Sequence, residues 1–264
     1  MEKQSLDKTI AIFGCGWLGL PLGASLVRNG YSVIGTTTRE NRYSILKEVG
    51  ITPCTYHLGD SIIDSKLYNA DAAIVCIPSK DVDAFRFLVE SISKSNIKHL
   101  IFVSSTSVYH SVNCVVTEES ILNNSPLIEI EALFTQSKSF QSTILRFSGL
   151  MGPNRHPGRF FIDKPIPNPE GVVNFIHLQD CIGIIQAILN LEAWNEVFHA
   201  AADTHPNREH FYKEAKALLD LPSPKFIHSN DINSGKIISN QKLKTALNYV
   251  FLHPDLIQSL KTFE

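Results

Sequence analysis

The fold is decided by one stretch near the start of the chain, Thr9-Ile10-Ala11-Ile12-Phe13-Gly14-Cys15-Gly16-Trp17-Leu18-Gly19. Its first five residues are almost all apolar, which is typical of a strand buried on both faces. The glycines follow in GxGxxG spacing and open a helical segment, predicted over 18–29 and ended by Gly30. A strand, such a loop and a helix in succession indicate a dinucleotide-binding unit. A glycine-rich turn without a ligand is the alternative.

Each glycine of the motif has its own predicted task. Gly14 permits the tight turn, Gly16 lets a pyrophosphate approach the backbone, and Gly19 lets the helix pack closely on the strand. The loop amides and the positive end of the helix dipole are then available for phosphate oxygens. The loop residues Trp17 and Leu18 are counted with the glycines as cofactor-binding.

Buried strands and helical segments alternate along the first half of the chain, which predicts right-handed βαβ units and a parallel sheet. The pattern predicts strands over 9–13, 31–35, 51–58, 72–77, 99–103, 142–147, 172–176 and 197–201, and helices over 81–93, 126–140, 178–191 and 208–219. Short elements of no assigned type are predicted around 236–239, 241–247 and 254–260. Pro53 favours either an early position within the third strand or an edge position for that strand. Residues 148–171, rich in Gly, Pro and Arg, are predicted to be a loop.

The predicted fold class is therefore α/β, a Rossmann-type doubly wound parallel sheet with a small C-terminal α/β lobe. Residues 1–150 would form the NAD(P)-binding domain, joined by a further strand from the later segment. Residues 151–264 would form a substrate-side lobe.

Composition excludes several classes of protein. The 264 residues carry 24 Lys and Arg against 26 Asp and Glu, a net charge of −2, so the basic surface of a nucleic-acid binder is missing. No apolar run reaches the ~20 residues that cross a bilayer, and the polar N-terminus does not resemble a signal peptide. Five scattered cysteines without a CxxC pair indicate reduced thiols, and His205 and His210, five apart, do not suggest a metal pair. We expect a cytoplasmic protein with no metal, membrane or nucleic-acid partner.

The end of the second predicted strand indicates which cofactor is preferred. An NAD site usually places an acidic residue there for the ribose hydroxyls, whereas this chain has Thr36-Thr37-Thr38-Arg39. Arg39 and the hydroxyls of Thr37 and Thr38 are suited to a 2′-phosphate. NADP is therefore favoured over NAD, with a solvated surface arginine as the alternative interpretation.

Three further segments resemble the extended short-chain dehydrogenases/reductases, the group of nucleotide-sugar epimerases and dehydratases. They are Phe102-Val103-Ser104-Ser105-Thr106-Ser107-Val108-Tyr109, Leu145-Arg146-Phe147-Ser148-Gly149-Leu150-Met151-Gly152-Pro153 and Val173-Asn174-Phe175-Ile176-His177-Leu178-Gln179-Asp180. The glycine spacing, with the Thr-Thr-Arg step and the loop from Gly152 to Arg159, resembles the atypical, YeeZ-like branch of NAD-dependent epimerase/dehydratase-like proteins. The resemblance extends over essentially the whole chain.

The resemblance implies site residues and partners. Asp60 would contact the adenine, Ile77, Pro78 and Ser79 would line the ribose side of the cofactor, and Ser104 would lie beside it. Ser105 falls on the catalytic Ser/Thr position. A small-molecule substrate is implied, and homodimers are common in the family.

The family's catalytic Tyr-x-x-x-Lys pair is missing from the helix predicted to start at Pro126. One alignment puts Asn123 and Leu127 on the two positions, and another puts Leu127 and Glu131 there. Both lose the phenolate that moves a proton at neutral pH. We therefore expect cofactor binding without the family's usual proton transfer.

Several side chains are candidates to replace the missing base. Tyr109 and His177 are taken as catalytic candidates beside Ser105, with structural roles as the alternative for both. Glu129 and Glu131 offer one inward carboxylate, and Arg155 and Arg159 are candidates to bind an anionic substrate. The favoured hypothesis is an oxidoreductase or epimerase-like enzyme for an unknown small polar substrate; the other is a catalytically inactive NADP-binding sensor or structural module.

Overall fold

The computed structural model describes residues 8–60, 64–162, 164–228 and 235–263. Thirteen strands lie within these ranges: β1 Thr9–Phe13, β2 Ser32–Thr37, β3 Thr52–Thr55, β4 Ala72–Val75, β5 His99–Ser105, β6 Val115–Val116, β7 Gln141–Phe147, β8 Gly149–Met151, β9 Ile166–Pro167, β10 Phe175–His177, β11 Val197–Ala200, β12 Phe226–Ile227 and β13 Ile237–Ile238.

Nine α-helices lie within the same described ranges: α1 Gly19–Arg28, α2 Tyr43–Glu48, α3 Ser65–Tyr68, α4 Val82–Ser93, α5 Pro126–Thr135, α6 Leu178–Leu191, α7 Arg208–Ala217, α8 Gln241–Leu247 and α9 Leu256–Ser259. None of the helices described is long and apolar enough to cross a membrane.

Seven strands form one sheet in the order β3-β2-β1-β4-β5-β7-β11. The pairings of β1 with β2 and β4, of β2 with β3, and of β4 with β5 are all parallel. The predicted α/β Rossmann-type sheet is confirmed, and β3 with its Pro53 lies at the edge as expected. The strand order reverses beside β1, and such a switch point is where open α/β sheets bind ligands.

The described residues group into two compact units. Unit 1 contains the chain up to Ser104, Asn124–Leu145 and Ile188–Val197; unit 2 contains Ser105–Asn123, Arg146–Ala187 and the chain from Phe198 onward. The chain therefore passes between the units several times.

Each unit has its own aromatic core. In unit 1, the Phe102 ring stacks on Phe134 at 4.5 Å between centroids and meets Phe85 edge-on at 5.6 Å. In unit 2, Phe175 stacks on Phe211 at 5.1 Å within a cluster that includes Met151 and Leu256. Such ring pairs add stabilisation beyond the apolar area they bury.

Several predicted segments differ from the structure. The strands predicted over 51–58 and 172–176 are observed as Thr52–Thr55 and Phe175–His177, and two further differences have a clear physical reason. Helix α5 ends at Thr135 rather than at residue 140, because a serine-rich stretch follows in which the Ser137 hydroxyl accepts the Ser139 amide at 3.3 Å. The predicted loop over 148–171 contains β8, which pairs in parallel with β10. A side chain at Gly149 would come within 2.6 Å of the Phe175 ring, so the glycine allows this close pairing.

Candidate functional site

Two backbone amides of the glycine loop in unit 1 donate hydrogen bonds to the neighbouring strand β2. Gly14 has a φ of 97°, and its amide donates to the Thr36 hydroxyl at 2.8 Å. The amide of Cys15 donates to the Thr36 carbonyl, also at 2.8 Å. Thr36 is buried at the end of β2, so it sets the path of the loop. The sequence interpretation quoted Thr36 and gave it no role, because its side chain acts on a residue 22 positions away.

The three motif glycines differ in what a side chain at each position would meet. A Cβ at Gly14 would lie 3.2 Å from the Cys76 backbone, and one at Gly19 would lie 2.2 Å from the Gly14 carbonyl oxygen. A Cβ at Gly16 would meet no heavy atom of the described chain within 4 Å. Gly16 is exposed and has no positive φ. The fold itself therefore requires Gly14 and Gly19, whereas Gly16 leaves open space.

Cys15 is a packing residue within this loop. It is buried, and a side chain at Gly35 would come within 2.4 Å of its sulfur. Burial raises the pKa of the Cys15 thiol to about 12, against the opposing charge of Arg42. The thiol therefore stays protonated and is a poor nucleophile at neutral pH. Trp17 and Leu18 are the loop residues predicted to bind cofactor together with the glycines. Trp17 is half-buried and Leu18 is buried.

The end of β2 leads to two arginines. Thr37 is buried, and its hydroxyl accepts the Arg39 amide at 3.4 Å. Thr38 and Arg39 are exposed, as is Glu40, which starts the 3₁₀ turn Glu40–Arg42. Arg42 is half-buried and close enough to the glycine loop for its charge to act on Cys15. The sequence interpretation missed Arg42, although an arginine three residues after another on a helical turn was visible.

The remaining predicted cofactor residues after β3 and β4 lie in turns. Asp60 is exposed, and its carboxylate accepts the His57 amide at 2.9 Å. Ile77 and Ser79 are half-buried and Pro78 is exposed. The Ser79 hydroxyl accepts the Asp81 amide at 3.2 Å, which helps to set the start of α4.

Ser104 at the end of β5 makes a buried contact with helix α5. Its hydroxyl donates to the Glu131 carboxylate at 2.5 Å, and Glu131 is 5% exposed. The structure therefore turns Glu131 inward, the outcome that the sequence left open between two glutamates. The hydroxyl of Ser104, predicted to bind cofactor, is engaged in this contact, which connects β5 to α5 within unit 1.

Two of the predicted catalytic residues open unit 2. The Ser105 hydroxyl is half-buried and accepts the Ser107 amide at 3.1 Å, which starts a 3₁₀ turn. Tyr109 is 3% exposed. Its hydroxyl accepts a hydrogen bond from Arg146 and lies 2.8 Å from His199 Nε2. The phenol of Tyr109 is thus engaged within unit 2 by Arg146 and His199, and it also lies 3.4 Å from the Glu118 carbonyl.

His199 completes this closed network, which we call the Tyr109 network (Tyr109, Arg146, His199). Its Nδ1 lies 3.2 Å from the Ser239 carbonyl, and its amide donates to Glu118 at 2.8 Å. Burial, and then the charge of Arg146, lowers the pKa of His199 to about 4. A neutral ring with its proton on Nδ1 fits the two closest contacts of the ring: Nδ1 donates to Ser239, and Nε2 accepts the Tyr109 hydroxyl. The Tyr109 hydroxyl also lies 3.4 Å from the Glu118 carbonyl, and Nδ1 lies 3.9 Å from the Glu118 carboxylate.

His177, the third catalytic candidate, is 2% exposed at the start of α6. Its Nδ1 accepts the Gln179 amide at 3.2 Å, while Nε2 is buried without a hydrogen-bond partner in the described part of the chain. The ring stacks on Phe263 at 5.4 Å and lies 3.8 Å from the His253 ring. Burial, and then His253, lowers the pKa of His177 to about 4, so the ring is neutral at pH 7.

The two predicted substrate arginines of unit 2 differ in their surroundings. Arg155 is exposed and donates from Nε to the Leu150 carbonyl at 3.0 Å, a contact within its own loop. Arg159 is exposed at the end of the 3₁₀ turn Pro157–Arg159 and lines a cavity to which Arg155 does not contribute. The described residues contain no cluster of three or more His, Cys, Asp or Glu that could hold a metal ion.

Comparison with known proteins identifies relatives along nearly the whole chain. No protein-family model matches. Protein YeeZ of Escherichia coli K12 is 34% identical over 266 residues, which cover 94% of this chain and 97% of YeeZ.

Solved structures share the fold at lower sequence identity. A functionally unknown conserved protein of Silicibacter pomeroyi aligns with a TM-score of 0.81 and 18% identity, over 97% of this chain and 98% of its own. The UDP-glucuronic acid 4-epimerase of Bacillus cereus, solved with NAD, aligns with a TM-score of 0.77 and 19% identity over 96% of both chains. A human epimerase family protein solved with NADPH aligns with a TM-score of 0.75 and 16% identity, over 97% and 98%.

Proposed function

The chain belongs to the YeeZ-like branch of the NAD-dependent epimerase/dehydratase-like proteins, and from that premise we propose that unit 1 binds a nicotinamide dinucleotide, with NADP preferred. We further propose that the protein is an oxidoreductase for a small polar substrate. The fold relatives solved with NAD or NADPH support the cofactor class.

The observation that carries the proposal is the open space at Gly16. Packing explains the other two motif glycines, because a Cβ at either would approach protein backbone to 3.2 Å or less. Nothing in the described chain explains why position 16 has no side chain. A pyrophosphate lying against the bare backbone beside the start of α1 does explain it, since phosphates bind at helix N-termini after glycine-rich loops.

The preference for NADP rests on charge at the end of β2. Arg39 is exposed, Arg42 is half-buried beside the glycine loop, and the Thr38 hydroxyl is exposed between the strand and these cations. A 2′-phosphate would be held by one or both guanidinium groups through charge-assisted hydrogen bonds. Asp60, exposed after β3, would take the adenine side as the family resemblance implies.

Residues of unit 1 would also support the reacting end of the cofactor. When bound, the nicotinamide supplies a hydride donor or acceptor. The Ser104–Glu131 hydrogen bond holds the end of β5 against α5, and so positions the chain that enters Ser105. Ser105 would hydrogen-bond the reacting oxygen, the role that the resemblance implies for it. Tyr109 and His177 stay candidate catalytic residues by prediction alone.

A second candidate function is a binding module that senses or stores NADP without turnover. Two observations favour it. The buried residues of α5 include no tyrosine and no lysine; they are Leu127, Ile130, Glu131 and Phe134. The Tyr109 hydroxyl is engaged by Arg146 and His199. Neither feature affects the glycine loop, so both functions share the same cofactor proposal.

Titration of the purified protein with NADP, NADPH, NAD and NADH tests the cofactor proposal. We expect saturable binding with a lower Kd for the 2′-phosphorylated forms, and loss of binding in Gly16→Val with an unchanged unfolding midpoint. If none of the four nucleotides binds, or if Gly16→Val binds them as the parent does, the proposal is wrong.

A hydride-exchange assay separates the enzyme from the binding module. The enzyme should exchange hydride between nicotinamide forms, and Ser105→Ala should lose this exchange while its nucleotide Kd stays unchanged.

A further inference from the structure

Unit 2 contains a cavity of about 350 Å³ that the proposed function does not use. It lies between the 3₁₀ turn Pro157–Arg159, the end of α7 and the turn that follows α9. Pockets for small molecules begin at roughly 300 Å³. The cavity is therefore large enough for a compact ligand of about ten heavy atoms.

Two cations belong to its lining. Arg159 and Lys261 are both exposed, and Asn154 adds a side-chain amide. Of the described residues that line the cavity, none is acidic. An anion entering it would meet two positive charges and no carboxylate among the described lining residues, an arrangement suited to carboxylate and phosphate groups.

His156 contributes a neutral wall and adds no third charge. It is 8% exposed, its Nδ1 accepts the Gly158 amide at 3.0 Å, and its ring meets Phe263 edge-on at 5.0 Å. Burial lowers the pKa of His156, and the charge of Arg159 acts in the same direction against a hydrogen bond to the Leu260 backbone. Arg159 and Lys261 are therefore the lining residues that would pair with a negatively charged ligand.

The rest of the lining is apolar: Leu218, Leu219, Leu260 and Phe263. Leu218 follows the last residue of α7 and is 44% exposed, so its side chain is accessible from the cavity. A leucine, an aromatic ring and two cations around one cavity fit a molecule with an apolar body and one anionic end. A purely inorganic anion would leave the apolar half unused.

We propose that this cavity is a binding site for a small organic acid, whose carboxylate is held by Arg159 and Lys261 and whose apolar part packs on Leu218 and Phe263. The site is formed by residues of unit 2 alone and does not depend on nucleotide binding in unit 1. An organic phosphate would also present an anionic group to Arg159 and Lys261. The test therefore distinguishes a carboxylate ligand from a phosphate ligand.

The test uses the full chain and 4-fluorobenzoate, followed by ¹⁹F NMR. We expect saturable binding with a Kd at or below about 1 mM, near the efficiency usual for so small a ligand. The neutral 4-fluorobenzamide should bind at least tenfold more weakly, since a hydrogen bond to a charged group is worth about a factor of ten or more. If phenyl phosphate displaces 4-fluorobenzoate with a lower Kd than benzoate does, the site belongs to organic phosphates and the proposal of an organic acid is wrong. If inorganic phosphate displaces it with the same Kd as benzoate, the apolar part of the ligand contributes nothing, which also contradicts the proposal.

Variants locate the binding. Arg159→Gln should raise the Kd about tenfold and Lys261→Gln severalfold, while Lys164→Gln, an exposed lysine outside the lining, should leave it unchanged. Because all three side chains are exposed, their unfolding midpoints should match the parent. Gly16→Val should also leave the benzoate Kd unchanged, which separates this site from the nucleotide site. Absence of saturable binding, or an unchanged Kd in the Arg159→Gln, Lys261→Gln double variant, overturns the proposal.

Discussion

The glycine loop of unit 1 and the Tyr109 network of unit 2 use polar groups in opposite ways. The loop leaves Gly16 bare and Arg39 exposed. In the Tyr109 network, a phenol, a guanidinium and an imidazole are buried and hydrogen-bonded to one another. Groups that face open space are available to a ligand, whereas buried polar groups must find partners within the protein or destabilise it. Four changes test this comparison.

The largest effect is expected within the loop itself. Gly19→Val places a side chain where a Cβ alone would be 2.2 Å from the Gly14 carbonyl oxygen, so we expect a loss of about 3 kcal/mol in the free energy of unfolding. Gly16→Val, its matched control, should lose nucleotide binding without a comparable loss of stability. Urea denaturation of both variants measures the difference, and equal destabilisation would remove the distinction between the two glycines.

The Tyr109 network should make stability depend on pH. An unfolded histidine binds a proton below about pH 6.5, whereas folded His199 does so near pH 4. Between these values the unfolded state holds more protons, so the stabilisation present above pH 6.5 is lost as the pH falls. This amounts to about 2 kcal/mol between pH 7 and pH 5.

Denaturation of His199→Gln at both pH values tests that contribution. The variant should lose about 2 kcal/mol less than the parent between pH 7 and pH 5. His210→Gln, which changes an exposed histidine, should keep the parent's pH dependence. A parent-like slope in His199→Gln would mean that folding does not lower the pKa of this ring.

Tyr109→Phe removes one hydroxyl from the same network. Arg146 and His199 each lose a buried partner, so we expect a loss of about 1.5 kcal/mol in the free energy of unfolding. Tyr31→Phe is the matched control, because its hydroxyl makes an exposed hydrogen bond to Asn190 at 3.2 Å and should matter little. If Tyr109→Phe is as stable as the parent but abolishes turnover, the network is catalytic rather than structural.

The smallest effect is expected at the exposed edge of the loop region. Arg39→Ala should weaken NADP binding roughly fivefold and leave NAD binding unchanged, since the lost group would hold a 2′-phosphate in contact with water. Arg86→Ala, an exposed arginine on α4, is the control. Calorimetric titration with both nucleotides gives the ratio, and an equal change for NAD and NADP would contradict the assignment of Arg39.

Local sequence pattern predicted the regular elements well. Strand β1 and helix α6 have the predicted limits, because their apolar residues repeat at a clear period. Helix α8 coincides with a short element predicted without a type. Helix α5 ended early, where serine side chains compete for backbone amides. The pairing of β8 with β10 joins residues 26 apart in sequence, Gly149 and Phe175, and no local pattern carries such information.

Part of the candidate site was readable in the same way. The glycine spacing and the Thr-Thr-Arg step are local, so the sequence alone predicted the loop and Arg39 as cofactor-binding. Thr36 as the anchor of Gly14, and Arg42 beside Cys15, come from packing between elements, and the pattern gave no distances between them.

By itself, then, the sequence determined the α/β fold, the glycine loop and the absence of the family's Tyr-Lys pair, because each depends on residue type at a short spacing. Tertiary structure alone decided that Gly16 opens onto free space, that Glu131 turns to Ser104, and that the Tyr109 hydroxyl is engaged by Arg146 and His199. The physical reason is burial. Whether a polar side chain serves a ligand or the fold depends on which distant residues surround it, and only the folded chain brings those residues together.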